Sequence, residues 1–144
     1  MTVYTMENTA IFSKEFPLNI LIAADNPHAQ ATTKGMLINL GYLPEVAANG
    51  LEMMSMTSTK SYDVILVDIQ MPEVEGMVAR QRDGQARRPL MIAMTGYARQ
   101  DFRLTRLKME MDSYINNPSD PKELTLQLKA CSVLTGHRSI RTDK

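Results

Sequence analysis

Residues 62–76 read YDVILVDIQMPEVEG. Val64-Ile65-Leu66-Val67 is an apolar run with no polar alternation, the pattern of a strand covered on both faces. It ends in a carboxylate, Asp68, followed by Met71-Pro72 and Gly76. A strand of that kind belongs inside a parallel sheet, and parallel strands need crossover connections. The flanking sequence supplies them.

Before it, LNILIAAD (18–25) reads as a strand and NPHAQATTKGMLINLG (26–41) as a helix. Asn26 is the N-cap, Pro27 fits the first turn and Gly41 the stop, with Ala29, Met36, Leu37 and Leu40 on an apolar face. LPEVAA (43–48) is a strand and GLEMMSMTST (50–59) a helix. After it, a short helix is expected from near Glu75, and RQRDGQARRP (80–89) reads as a loop, so the third helix looks short. PLMIAMT (89–95) and DSYIN (112–116) are strands, while RQDFRLTRLKME (99–110) and DPKELTLQLKACSVL (120–134) are helices, the last capped by Asp120 and Pro121. The pattern predicts an α/β fold, (βα) repeated five times, with a doubly wound five-stranded parallel sheet. Residues 1–16 are expected to be a leader or linker, 17–135 the domain and 136–144 a tail.

The chain has 144 residues, 44% hydrophobic and 22% charged, with a formal net charge of zero. That suits one domain with a core. It carries no basic stripe with which to neutralise nucleic-acid phosphates; Arg80, Arg82, Arg87 and Arg88 read as a solvated loop. No apolar stretch is long enough to span a membrane, and MTVYTMENTA is not expected to be a signal peptide. The single cysteine, Cys131, excludes an internal disulfide, suits a reducing compartment and reads as a packed thiol. The twelve methionines read as core filling. Leu124, Leu126, Leu128, Val133 and Leu134 form a wider apolar set than one core stripe requires, which leaves an interaction face open as a reading.

In doubly wound sheets the functional crevice lies at the carboxyl ends of the strands. Asp25 ends strand one, Asp68 strand three and Thr95 strand four, while Asn117 follows strand five. Two carboxylates brought together call for a cation, and oxygen ligands with room for water suit Mg²⁺. Asp68 then reads as a carboxylate nucleophile for phosphoryl transfer. The competing explanation is that each acid caps the following helix. It is stronger for Asp25, beside Asn26-Pro27, than for Asp68, whose next residues do not start a helix.

NILIAADNPHAQ, LGYLPEVAANGLE, YDVILVDIQMPEVEG, MIAMT and DSYINNP resemble, in order and spacing, the receiver domains of two-component response regulators, above all those of hybrid histidine kinases. The resemblance implies a flavodoxin-like fold and Asp68 as phosphoacceptor for a phosphohistidine. It implies Mg²⁺ held by Asp25, Asp68 and the Gln70 backbone carbonyl. Thr95 and Tyr114 would follow the phosphoryl group as switch residues, and Asn117-Pro118 would be a cis peptide. Partners would be a histidine kinase or a histidine phosphotransfer domain, with a receiver dimer through the last helix as an option. The location would be cytoplasmic, including the cytoplasmic part of a membrane kinase.

Two positions depart from the family. Ala24 replaces an acid that would hold a metal-bound water, so Mg²⁺ binding is expected to be weak. Asn117 replaces a lysine, and losing that charge-assisted bond to phosphate would cost about 1.5–3 kcal/mol. Two readings stand. One is a receiver with weakened chemistry, at most phosphorylating and dephosphorylating itself. The other is a pseudo-receiver acting as a phosphorylation-independent interaction module. An aspartyl phosphatase is disfavoured because the position of its second acid holds Gln70.

Overall fold

The apolar runs pair into one parallel sheet. The computed structural model describes residues 9–71, 74, 76, 81, 88–94, 110–116 and 120–136. In chain order these form α1 (Thr9–Glu15), β1 (Ile20–Ala23), α2 (Pro27–Asn39), β2 (Glu45–Ala47), α3 (Gly50–Thr59), β3 (Val64–Asp68), β4 (Leu90–Met94), β5 (Ser113–Ile115) and α4 (Pro121–Thr135). The strands lie in the order β2-β1-β3-β4-β5, and every neighbouring pair is parallel. The order reverses between β1 and β3, so the switch point lies between the two strands that carry the candidate acids.

Strand periodicity divides the core in two. Leu21, Ala23, Ile65, Val67, Met91 and Ala93 face one way and pack with Met53 of α3. Ile20, Ile22, Val64, Leu66, Ile92 and Met94 face the other way, with Leu37 of α2 and Leu124 and Leu128 of α4. The methionines act as core filling at Met53, Met71, Met91, Met94 and Met111, all buried. Cys131 is a packed thiol, pushed up to about 12 by burial first and then by the charges of Asp112 and Asp63.

Local signals place the helices. The Asn26 side chain accepts from the amides of His28 at 2.7 Å and Ala29 at 3.1 Å, and Pro27 opens α2. Asn49 accepts from the Glu52 amide at 2.8 Å while the Glu52 carboxylate accepts from the Ala48 amide at 2.6 Å, a reciprocal cap for α3. Asp120 caps α4, and Gly136 ends it at φ 77°, where a side chain would be strained.

Two readings of the sequence need correction, and a third gains detail. Within residues 1–16, read as a leader or linker, residues 9–15 form α1, and Phe12 and Phe16 are buried in the α2–α4 half of the core. The two rings lie 4.9 Å apart, Phe12 meets Tyr42 edge-on at 6.3 Å, and the Tyr42 hydroxyl donates to the Phe16 carbonyl at 2.5 Å. Gln81, read as loop, has helical backbone, as do Val74 and Gly76. It is 1% exposed, and its Nε2 donates to Thr57 Oγ1 of α3 at 2.9 Å, so burial leaves the amide satisfied. Arg88 is not a solvated loop cation, because both its terminal nitrogens donate to the two Asp112 oxygens at 3.1 Å.

Asp112 also accepts the Met91 amide at 2.7 Å, tying the start of β4 to the approach to β5. Asp112→Ala leaves a part-buried amide and a guanidinium without their acceptor. It is expected to cost about 1.5–3 kcal/mol, read as a lower urea midpoint at unchanged slope.

The expected helix 99–110, the tail beyond Gly136, Thr95, Asn117 and the cis peptide at Pro118 lie outside the described residues, apart from Glu110, which is helical. Of the apolar set on α4, Leu124 and Leu128 are buried, whereas Leu126, Val133 and Leu134 are exposed.

Candidate functional site

Asp68 is the last residue of β3, and Asp25 lies two residues beyond the end of β1. Ala23 pairs with Val67 and Val67 with Ala93, so the two acids leave adjacent strands at the same end of the sheet. After Asp68 the chain turns sharply. The Met71 amide donates to the Asp68 carbonyl at 3.0 Å, and the Gln70 amide donates to Asp68 Oδ1 at 2.9 Å. The carboxylate is thus held by the backbone that follows it, in a turn over Asp68–Met71.

The electrostatics mark the site. Burial pushes the Asp68 carboxyl above its ordinary value, the Gln70 hydrogen bond pulls it down, and the charge of Asp25 raises it again. The last effect places Asp68 within reach of the Asp25 charge. Asp25 is exposed and Asp68 half-buried, so the pair opens to solvent on one side.

Ala24, where the sequence resemblance leads one to look for another acid, is fully buried in the α2–α4 half of the core. Its N–H donates to the Ala47 carbonyl at 3.1 Å, and its carbonyl accepts from Gln30 Nε2 at 2.6 Å. Met94, beside Asp68 in the register, accepts from Thr33 Oγ1 at 3.7 Å. That flank of the site is therefore methyl and thioether. Among the described residues, no cluster of three or more His, Cys, Asp or Glu side chains could hold a metal. A divalent cation would have to rely on the two acids, a backbone carbonyl and water, a hard-oxygen set that suits Mg²⁺.

Tyr114 stands on β5 with 43% of its surface exposed. Thr95, Asn117 and Pro118 lie outside the described residues, so the structure brings together Asp25, Ala24, Asp68 and Gln70. Sequence reasoning gave Gln30 no role, although it closes the NILIAADNPHAQ stretch, one turn into α2 from the loop that carries Asp25.

A doubly wound sheet with paired acids at its switch point is the architecture of receiver domains, and the chain belongs to that family: the response regulator receiver domain model matches residues 20–129. The TorCAD operon transcriptional regulatory protein TorR of Escherichia coli K12 is 28% identical over 113 residues, which is 78% of this chain and 49% of that protein. Hybrid signal transduction histidine kinase G of Dictyostelium discoideum is 34% identical over 113 residues, 74% of this chain but 3% of the kinase. The chain thus spans about half the length of the first and a small part of the second. Among solved structures, the receiver domain of sensor histidine kinase PA1611 from Pseudomonas aeruginosa PAO1 is 30% identical with a TM-score of 0.67, covering 81% of this chain and 98% of that one. That structure has a magnesium ion coordinated in its active-site cleft. Receiver domains accept a phosphoryl group on an aspartate and work with histidine kinases or phosphotransfer domains. Among the described residues, no helix is long and apolar enough to cross a membrane.

Proposed function

We propose that this chain is a two-component receiver in which Asp68 takes a phosphoryl group from a phosphohistidine. A carboxylate oxygen of Asp68 forms the new O–P bond as the P–N bond of phosphohistidine breaks. The imidazole keeps the electron pair, and the product is an acyl phosphate. The observation that carries the reading is the placement of Asp25 and Asp68 at the same end of two adjacent strands, at the switch point, with Asp68 held by the Gln70 amide.

Asp25, Asp68 and the Gln70 backbone carbonyl are the groups that would hold Mg²⁺, which when bound offsets negative charge on the transferring phosphoryl group. Gln70 N–H keeps one Asp68 oxygen engaged, which leaves the other for attack. Ala24 adds a methyl where another oxygen ligand would strengthen the cation site, so affinity for Mg²⁺ is weak. Asn117 is a neutral donor in place of a charged one, which slows transfer. Thr95 and Tyr114 carry the switch, and the Tyr114 ring is exposed on β5. The donor is a histidine kinase or phosphotransfer domain. The domain spans residues 17–135, with α1 attached, and works in the cytoplasm.

A second reading has one observation in its favour. The Ala24 flank is buried and apolar, and a chain with no use for phosphate could tolerate that. In this reading the domain is a pseudo-receiver that works through its surface, including self-association by Leu126, Val133 and Leu134 of α4.

Intact mass after incubation with Mg²⁺ and acetyl phosphate separates the two. A gain of one phosphoryl group in the wild type, absent in Asp68→Asn, is the expected result. No gain in either, with both folded, would transfer the function to the surface.

A further inference from the structure

We propose that Gln30 is a positioning residue for the cation site: by holding the Ala24 carbonyl it keeps the Asp25 carboxylate beside Asp68. This rests on the reading of Asp25 and Asp68 as the groups that hold Mg²⁺.

The loop between β1 and α2 is three residues long, Ala24 to Asn26. Its outer two are pinned. Ala24 N–H donates to the Ala47 carbonyl at 3.1 Å, Ala24 C=O accepts from Gln30 Nε2 at 2.6 Å, and Asn26 caps α2 through His28 and Ala29. Asp25 lies between them with its side chain exposed. Its position is thus set through the backbone.

The peptide joining Ala24 to Asp25 is planar, so turning the Ala24 carbonyl changes ψ of Ala24 and φ of Asp25, which re-aims the Asp25 side chain. The Gln30 contact is part-buried and shorter than the usual N–H···O distance. Without it the carbonyl must turn toward water or stay unsatisfied. Turning it rotates the peptide plane and re-aims the Asp25 carboxylate relative to Asp68. Since Ala24 has no ligand to offer, Asp25 is the loop's sole carboxylate, and its placement decides how well the site holds a cation. Groups that orient metal ligands from behind typically change affinity by about 10- to 100-fold when removed.

The test compares wild type, Gln30→Met and Asp25→Asn by titrating Mg²⁺ against amide NMR spectra. Melting curves are taken with and without Mg²⁺. Met keeps the length of Gln and loses the donor. The expected result is Mg²⁺-dependent shifts near Asp25 and Asp68 in the wild type, about tenfold weaker binding in Gln30→Met, and none in Asp25→Asn. The stabilisation that Mg²⁺ adds by binding the folded state should shrink with it. Equal Mg²⁺ affinity in wild type and Gln30→Met would overturn the inference and leave the proposed function standing. So would a melting point lowered by the same amount with and without Mg²⁺, since that is a structural role. No Mg²⁺-dependent shift in the wild type would overturn both.

Discussion

Asp68→Asn is expected to abolish phosphoryl acceptance and, in the same protein, to raise the melting temperature at neutral pH. Loss of acceptance follows from the chemistry, because an amide oxygen is a poor nucleophile and the product needs a carboxyl carbon bonded to an O–P group. The stability gain follows from the environment. Burial holds the Asp68 carboxyl above its ordinary value, against the pull of the Gln70 amide, and Asp25 adds to the rise. Between the ordinary and the raised value the folded chain keeps a proton that the unfolded chain has lost. Stability therefore falls as pH rises through that window, and at neutral pH the ionised carboxylate weakens the fold. Asn keeps the acceptor oxygen for Gln70 and removes the charge. The gain should vanish below the ordinary carboxyl value of 3.8, where Asp68 is neutral in both states. Melting curves of both proteins across the acid range check this. A gap that persists unchanged at low pH would mean that the cause is packing, not charge.

Phe12→Ala is expected to destabilise the domain by about 3–5 kcal/mol, the range for deleting a buried phenyl ring from a core. Phe12 is 2% exposed, packs against Phe16 in a tilted ring pair and meets Tyr42 edge-on. The Ser13 amide donates to the Leu40 carbonyl at 3.0 Å, so the helix is also tied to the end of α2 by a hydrogen bond. A purely peripheral helix would fray at a cost of a few tenths of a kcal/mol. Leu126→Ala supplies the contrast. Leu126 is 68% exposed, and its loss is expected to stay within about 0.5 kcal/mol. Urea midpoints of the two variants should differ accordingly; if Phe12→Ala matches Leu126→Ala, α1 contributes nothing to the fold.

The sheet was legible because each strand carries its own signal. Val64 to Val67 is apolar throughout, Asp68 follows, and Asn26-Pro27 and Asp120-Pro121 mark helix starts by local chemistry. Asp25 and Asp68 could be read as partners because strand ends in a parallel sheet converge. What stayed hidden depends on residues far apart in the chain. Phe12 and Phe16 are one turn apart, a faint trace in a polar stretch, and their seat is built from Leu40, Tyr42 and α4. Gln81 sits among arginines and glycine, so local composition argues for a loop. Its partner, Thr57, is on another helix. Arg88 looked solvated for the same reason, with Asp112 out of view until β4 and β5 pair. The Gln30–Ala24 contact uses a backbone carbonyl, which no residue pattern reveals.

The seat of α1 also bears on the order of events during synthesis. Phe16 lies in the same cluster as Leu124, Leu128 and Cys131, and the Lys129 ammonium sits 5.7 Å from its ring centre. Within the domain, α1 thus finds part of its binding surface on α4, a helix made much later. Loop closure over so long a stretch is entropically costly. Until α4 arrives, the two phenyl rings have only the α2 side to rest on, and a nascent chain would carry them as exposed, adhesive surface.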